Sequence, residues 1–202
     1  MADAKDKIFQ TALKEFSKEG FGGARVERIA KNAGVNKAMI FYYFSSKQNL
    51  YQELLNHVMS KIFGQVSELI SRETNAEFFF EKMTEVYIIF LSKHQDFIRM
   101  IALDMIQNPG NINRLLKTFF ESRFESGPGL LFEKVRDWYE KGEITESDPL
   151  QFIINILSLN IFVFIGKPIF EAIFNVKIDE IDDFYQNRIK SVVNILKKGM
   201  LK

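Results

Sequence analysis

Between residues 36 and 47 the chain reads Asn-Lys-Ala-Met-Ile-Phe-Tyr-Tyr-Phe-Ser-Ser-Lys, residue types that suit contact with a nucleic acid duplex. Ile40 and Phe44 sit four apart, so a helix turns them inward with Val35 and turns Lys37, Ala38, Phe41 and Tyr42 outward. A cation, a small residue and aromatic rings turned to water serve no folding purpose. A major groove offers them phosphates, acceptor edges and thymine methyls. Lys37, near the start of this helix, reaches either guanine acceptors or a phosphate, and Ala38 and Met39 act through shape and methyl contact. The reading helix is expected over Lys37 to Tyr43.

The elements that must hold this face are short. Val26, Ile29, Ala30 and Ala33 recur at helical spacing, and Gly34 supplies the left-handed residue that ends a helix cheaply. Asn36 then caps the next helix, with a side chain that satisfies an orphan amide. Two short helices joined by a glycine turn follow. Ahead of them, Ile8, Phe9, Ala12, Leu13 and Phe16 form one stripe of an amphipathic helix with no apolar leader segment, so a cytoplasmic protein is expected.

Gly20-Phe21, Ile29-Ala30, Ala33-Gly34-Val35, Lys37, Tyr43-Phe44, Ser46-Lys47 and Leu50, in this order and spacing, resemble the N-terminal domain of the TetR (tetracycline repressor) family of bacterial transcription regulators. The resemblance by motif covers residues 5 to 55. It implies an all-α chain with a three-helix DNA-binding helix-turn-helix domain over 1–47 and a larger helical ligand-binding and dimerisation domain over 48–202. It also implies that Tyr42, Tyr43, Lys47 and Asn36 stand at positions that reach phosphates, although Tyr43 could instead pack against the head's own core. Phe41 stands where the family often has Tyr, and Ala24 where Thr is frequent, so neither position carries a hydroxyl for the DNA backbone. Arg25 or Arg28 could reach the backbone in their place.

Composition agrees with this plan. The chain has 202 residues, 47% of them hydrophobic, with only 4 Pro and 11 Gly, enough for a sizeable core and too apolar for disorder. There is no Cys, which removes disulfides and thiolate metal sites, and two His leave little for metal chemistry. The net charge is only +1, but residues 1 to 50 hold nine Lys or Arg against five acids, a net of +4 that leaves −3 for the rest. Such asymmetry is the footprint expected when one end meets phosphate, although a solvated helix face could carry the same Lys count.

Beyond the head the pattern is helical throughout: a long helix from Ser46 toward Ser71, then helices over 76–93, 95–107, 112–125, 129–141, 149–173 and 180–199. Breaks are expected at Asn108-Pro109-Gly110, Gly127-Pro128-Gly129, Gly142 and Asn175-Val176-Lys177. Asp148-Pro149 is a cap followed by proline at the first helical position, and Asp179, Glu180, Asp182 and Asp183 complement the dipole of the last helix. The apolar run from Phe152 to Ile165 is interrupted by Asn155, Ser158 and Asn160 and is too short for a membrane span.

One short reading helix covers few base pairs and would hold DNA weakly alone, so a homodimer on a palindromic double-stranded operator is expected. By the same resemblance the last two helices pair with their copies as a four-helix bundle. Phe152, Ile156, Leu159, Val163, Phe184, Ile189, Val192, Val193 and Leu196 could furnish that surface or belong to the monomer core.

A small apolar or aromatic effector of unknown identity is expected in the second domain. Tyr87, Phe90, Met100, Trp138 and Phe164 are lining candidates, and Asn155 and Asn160 are amides that need partners. Ligand binding would tilt the long helix, change the separation of two heads and release DNA, making the chain most simply a repressor; an activator is also open. No cofactor is expected, and no nucleophile, base and orienter occur together to make an enzyme. The competing reading is a dimeric ligand- or protein-binding module with a vestigial head.

Overall fold

Gly20 decides where the first helix ends. Its backbone lies at φ 67°, ψ 174°, a region that essentially only glycine occupies, and it interrupts α1 (Ala4–Gly23). The computed structural model describes residues 4–72 and 75–202. Within these, eleven α-helices and one 3₁₀ turn account for the regular structure, with one isolated antiparallel bridge between Ile144 and Leu201. The chain is all-α, as expected.

It divides into two compact units. One holds residues up to Lys61 together with His94–Phe120; the other holds Ile62–Lys93 and Glu121–Lys202. The expected boundary after residue 47 lies at the first residue of α4 (Lys47–Ser71), a single helix shared by both units.

In the first unit, Ile8, Ala12 and Phe16 of α1 are sealed from solvent, together with Ile29 of α2 (Val26–Ala33), Ile40 and Phe44 of α3 (Lys37–Phe44), and Leu50, Leu54 and Leu55 of α4. The turn between α2 and α3 follows the sequence reading. Gly34 adopts φ 69°, ψ 30°, and the Val35 N–H returns to the Ala30 carbonyl at 3.0 Å. Asn36 Oδ1 accepts the Met39 N–H at 2.8 Å.

Helix α6 (Gln95–Gln107) packs along α1 and carries the polar groups that fix its end. Asp104, fully buried, accepts the Phe21 N–H at 2.8 Å, and Ser17 Oγ donates to Asp96 at 3.3 Å. Tyr51 of α4 lies beside Asp104; burial and the adjacent carboxylate hold its phenol well above the ordinary range. Helix α7 (Pro109–Glu121) begins three residues earlier than expected, because Pro109 occupies the first turn, where its missing N–H costs nothing.

The second unit is built on α5 (Ala76–Lys93), α8 (Pro128–Glu140), α9 (Pro149–Ile165) and α11 (Phe184–Met200). Phe79, Phe80, Trp138 and Phe152 meet at its centre, with Phe79 and Trp138 rings 5.1 Å apart and Phe80 and Phe152 rings 5.5 Å apart. Lys197 of α11 bridges Glu77 and Glu81 of α5, each at 2.6 Å.

The helix expected over 149–173 is two helices, α9 and α10 (Lys167–Phe174), bent by 58° at Gly166. Pro168 has no N–H to return to the preceding turn, so α9 cannot run on through it. The last helix starts at Phe184 rather than 180, because Ile178–Glu180 forms the 3₁₀ turn and Asp183 takes a left-handed conformation at φ 55°. Asp179 does not face the helix start alone: it pairs with Lys167 and accepts the Tyr185 hydroxyl at 2.8 Å. No single helix among the described residues is long and apolar enough to cross a membrane.

The junction of α1 with α6 can be tested directly. Gly20→Ala forces a disfavoured backbone and drives a Cβ into Gln107 Oε1, and should cost about 1–3 kcal/mol from strain alone. Asp104→Ala orphans the Phe21 amide and should cost a further ~1–3 kcal/mol. Urea unfolding followed by circular dichroism measures both; a midpoint unchanged by either substitution would contradict the assignment.

Candidate DNA-binding surface

The exposed face of α3 is assembled by what its other face buries. With Ile40 and Phe44 held in the core, Lys37, Ala38, Phe41 and Tyr42 are left in solvent, and Tyr42 is 84% exposed. Met39 and Tyr43 are half-buried, and the Tyr43 ring lies between those of Tyr42, at 5.4 Å, and Phe44, at 6.1 Å. Tyr43 thus contributes to the packing of the head while keeping part of its surface in water.

The charged groups around this face are tied into the fold to different degrees. Lys37 Nζ is 2.5 Å from Glu27 Oε1 on α2 and 5.5 Å from the centre of the Phe41 ring. The hydrogen bond from Lys37 holds the Glu27 carboxyl below the usual carboxylate range. Lys47 points inward: its ammonium donates to the Ala24 carbonyl at 2.8 Å and lies 4.7 Å from the Phe21 ring, and burial lowers its pKa. It finishes the carbonyls left open where α1 ends. Asn36 spends its side-chain oxygen on the cap.

Glu15 is the head's internal anion. It is nearly buried, accepts Arg28 Nε at 2.7 Å and the Arg25 N–H at 3.0 Å, and raises the pKa of Arg28. Arg28 also donates to the Gly23 carbonyl at 3.2 Å. The Arg25 side chain is exposed. Sequence reasoning missed Glu15 and Glu27. For Glu15 a signal existed, a carboxylate set between Ala12 and Phe16 on an apolar stripe; for Glu27, ten residues from Lys37, only the fold brings the pair together.

The second-unit candidates are placed less as expected. Phe90, Trp138, Asn160 and Phe164 are buried and Tyr87 half-buried, but Asn155 is exposed and Met100 lies in the interior of the first unit. Asn160 Nδ2 donates to the Ile156 carbonyl of its own helix at 2.9 Å. An apolar groove of about 450 Å³ is lined instead by Phe162, Phe170, Phe174, Ile181 and Phe184, with Arg188 at its side.

Phe152, Ile156, Val192 and Leu196 are sealed in the chain's own core, and Val163 is nearly so, which leaves them little or no surface for a partner. Leu159, Phe184, Ile189 and Val193 are half-buried. The helical register puts Leu150, Ile154, Phe162 and Ile165 on the solvent side of α9, and these are exposed.

A short, capped helix that packs one face on a glycine-turned neighbour and shows a Lys, Ala and aromatic face to solvent is a helix-turn-helix, the arrangement that places a helix in a DNA groove. The comparisons agree. Residues 8–54 match the model of bacterial regulatory proteins of the tetR family. The transcriptional repressor NicS of Pseudomonas putida is 31% identical over 100 residues, which span 50% of this chain and 47% of that one. This chain thus matches about half the length of that curated relative. The transcriptional regulator RutR of Escherichia coli O157:H7 is 26% identical over 97% of this chain and 90% of its own. The structure of the regulator FadR from Bacillus subtilis, in complex with stearoyl-CoA, superposes with a TM-score of 0.70 at 19% identity, covering 96% of this chain and 98% of that one. Residues 8–54 thus match the DNA-binding domain of the tetR family, and the fold is shared with regulators over the whole chain.

Tyr42 and Ile40 separate contact from folding. Tyr42→Ala removes an exposed ring and should shift stability by no more than ~0.5 kcal/mol while weakening DNA binding severalfold. Ile40→Ala should cost about 2–5 kcal/mol and lose binding through unfolding. Thermal melts beside fluorescence anisotropy on duplex DNA distinguish the two.

Proposed function

We propose that this chain is a transcriptional repressor that binds a palindromic operator as a homodimer and is released by a small apolar ligand. The observation that carries the reading is the outward face of α3, where Lys37, Ala38, Phe41 and Tyr42 are exposed. Base edges are read by Lys37 with Ala38 and Met39, and the backbone is held by Tyr42, the exposed part of Tyr43 and the exposed Arg25. Lys47, Asn36 and Arg28 act chiefly by holding the helices in place.

Dimerisation is assigned to the exposed stripe of α9, Leu150, Ile154, Phe162 and Ile165, with Ile195 of α11. Several large apolar side chains exposed along one side of a helix suit a surface that a partner covers. The NicS relative is named a repressor, and the FadR structure holds stearoyl-CoA, which supports both repression and an apolar effector. Ligand and DNA then weaken each other's binding by one common factor.

Selection from a random duplex pool tests the reading: a palindrome should emerge, and affinity for it should fall steeply with salt. Failure to enrich any sequence would support the module with a vestigial head. Ile154→Glu, tested by light scattering, should halve the mass in solution and weaken palindrome binding by at least ~100-fold, since one head alone keeps few phosphate contacts. A retained dimer would exclude this face.

A further inference from the structure

The recognition helix carries a single charged side chain, Lys37, and that charge is engaged inside the protein before DNA arrives. Its ammonium is fixed between an anion and a ring: Glu27 Oε1 at 2.5 Å and the Phe41 face at 5.5 Å. Both members of the pair are at least half exposed, so the intact pair stands at the protein surface, where a duplex can reach it. Glu27 sits in the first turn of α2, where the helix dipole favours a carboxylate, and it pairs across the turn rather than within its own helix.

We propose that Glu27 is a specificity-determining residue that positions Lys37 for a base edge and cancels its attraction to any phosphate; the inference rests on the DNA-binding reading above. An ammonium has three protons and a compact charge. With one proton held by Glu27, the others keep a fixed direction instead of following the nearest phosphate. On an arbitrary duplex, the neutralised pair adds nothing to counterion release. On a duplex that offers guanine O6 and N7 at the right place, the oriented protons find acceptors in the groove. Glu27 therefore weakens binding everywhere and weakens it least at the correct sequence.

The test compares the duplex selected from the random pool with a scrambled duplex of equal length, for the wild-type chain, Glu27→Gln, Glu27→Asp, Lys37→Met and the Glu27→Gln/Lys37→Met double variant. Glu27→Gln should tighten scrambled-duplex binding, steepen its salt dependence by about one released counterion, and lower the selected-to-scrambled ratio on the order of tenfold. Glu27→Asp, which keeps the charge on a shorter stem, should recover part of that ratio. In the Lys37→Met background, Glu27→Gln should leave the ratio unmoved, because the residue acts through Lys37. A ratio unaffected by Glu27→Gln, or lowered equally with and without Lys37, overturns the proposal while leaving DNA recognition standing. A wild-type chain that does not distinguish the two duplexes overturns the DNA-binding reading itself, and this inference with it.

Discussion

The geometry of the head hangs on one hydrogen bond from a backbone amide to a buried side chain. The Phe21 amide, released from the helix ladder by the turn at Gly20, is taken up by the buried Asp104 carboxylate on α6. A hydrogen bond to a buried charged group is worth about 1.5–3 kcal/mol, and leaving either partner unsatisfied costs more than forming the bond gains. Gly20 makes the approach possible, since a side chain there would meet Gln107 and Asp104. From this point the direction in which the chain leaves α1 is set, and with it the placement of α2 and α3.

The same junction explains why the cations near the reading helix have such different roles. Where α1 ends it leaves open carbonyls, and Lys47 and Arg28 are drawn to Ala24 and Gly23. Glu15 takes the Arg25 amide and the Arg28 guanidinium into a half-buried cluster. These groups give rigidity more than affinity. A reading helix of two turns has little intrinsic stability, so its position must be imposed by its neighbours. The charge visible in the sequence thus overstates the charge free to meet phosphate.

Much of the fold was legible in the sequence, for identifiable reasons. Helices α5 and α6 fall on 76–93 and 95–107 because their apolar periodicity is strong, and Asn75 caps the start of α5 by accepting the Phe78 N–H. The turn between α2 and α3 was legible because Gly34 and Asn36 each have one obvious local task. The bend at Gly166 was passed over because the apolar pattern continues through it, although Pro168 held the signal. In the candidate site, the outward face of α3 followed from Ile40 and Phe44 alone. Glu15, Glu27 and Asp104 did not, because each acts on a residue from another helix and sequence spacing carries no trace of such pairing.

The allocation of residues on α9 shows why composition alone could not divide core from partner surface. Phe152, Ile156, Leu159 and Val163 are as hydrophobic as Leu150, Ile154, Phe162 and Ile165, and both sets recur at helical spacing. Only the neighbours choose between them: Trp138 and Phe80 close over Phe152, and the register then turns Ile154 and Phe162 outward. A helix with apolar residues on two sides packs one of them against its own chain and leaves the other in solvent. In the proposed homodimer a two-fold axis would set that exposed stripe against its own copy. In the proposed homodimer two reading helices would act together, and two weak grips on phosphate and base would combine into one operator complex.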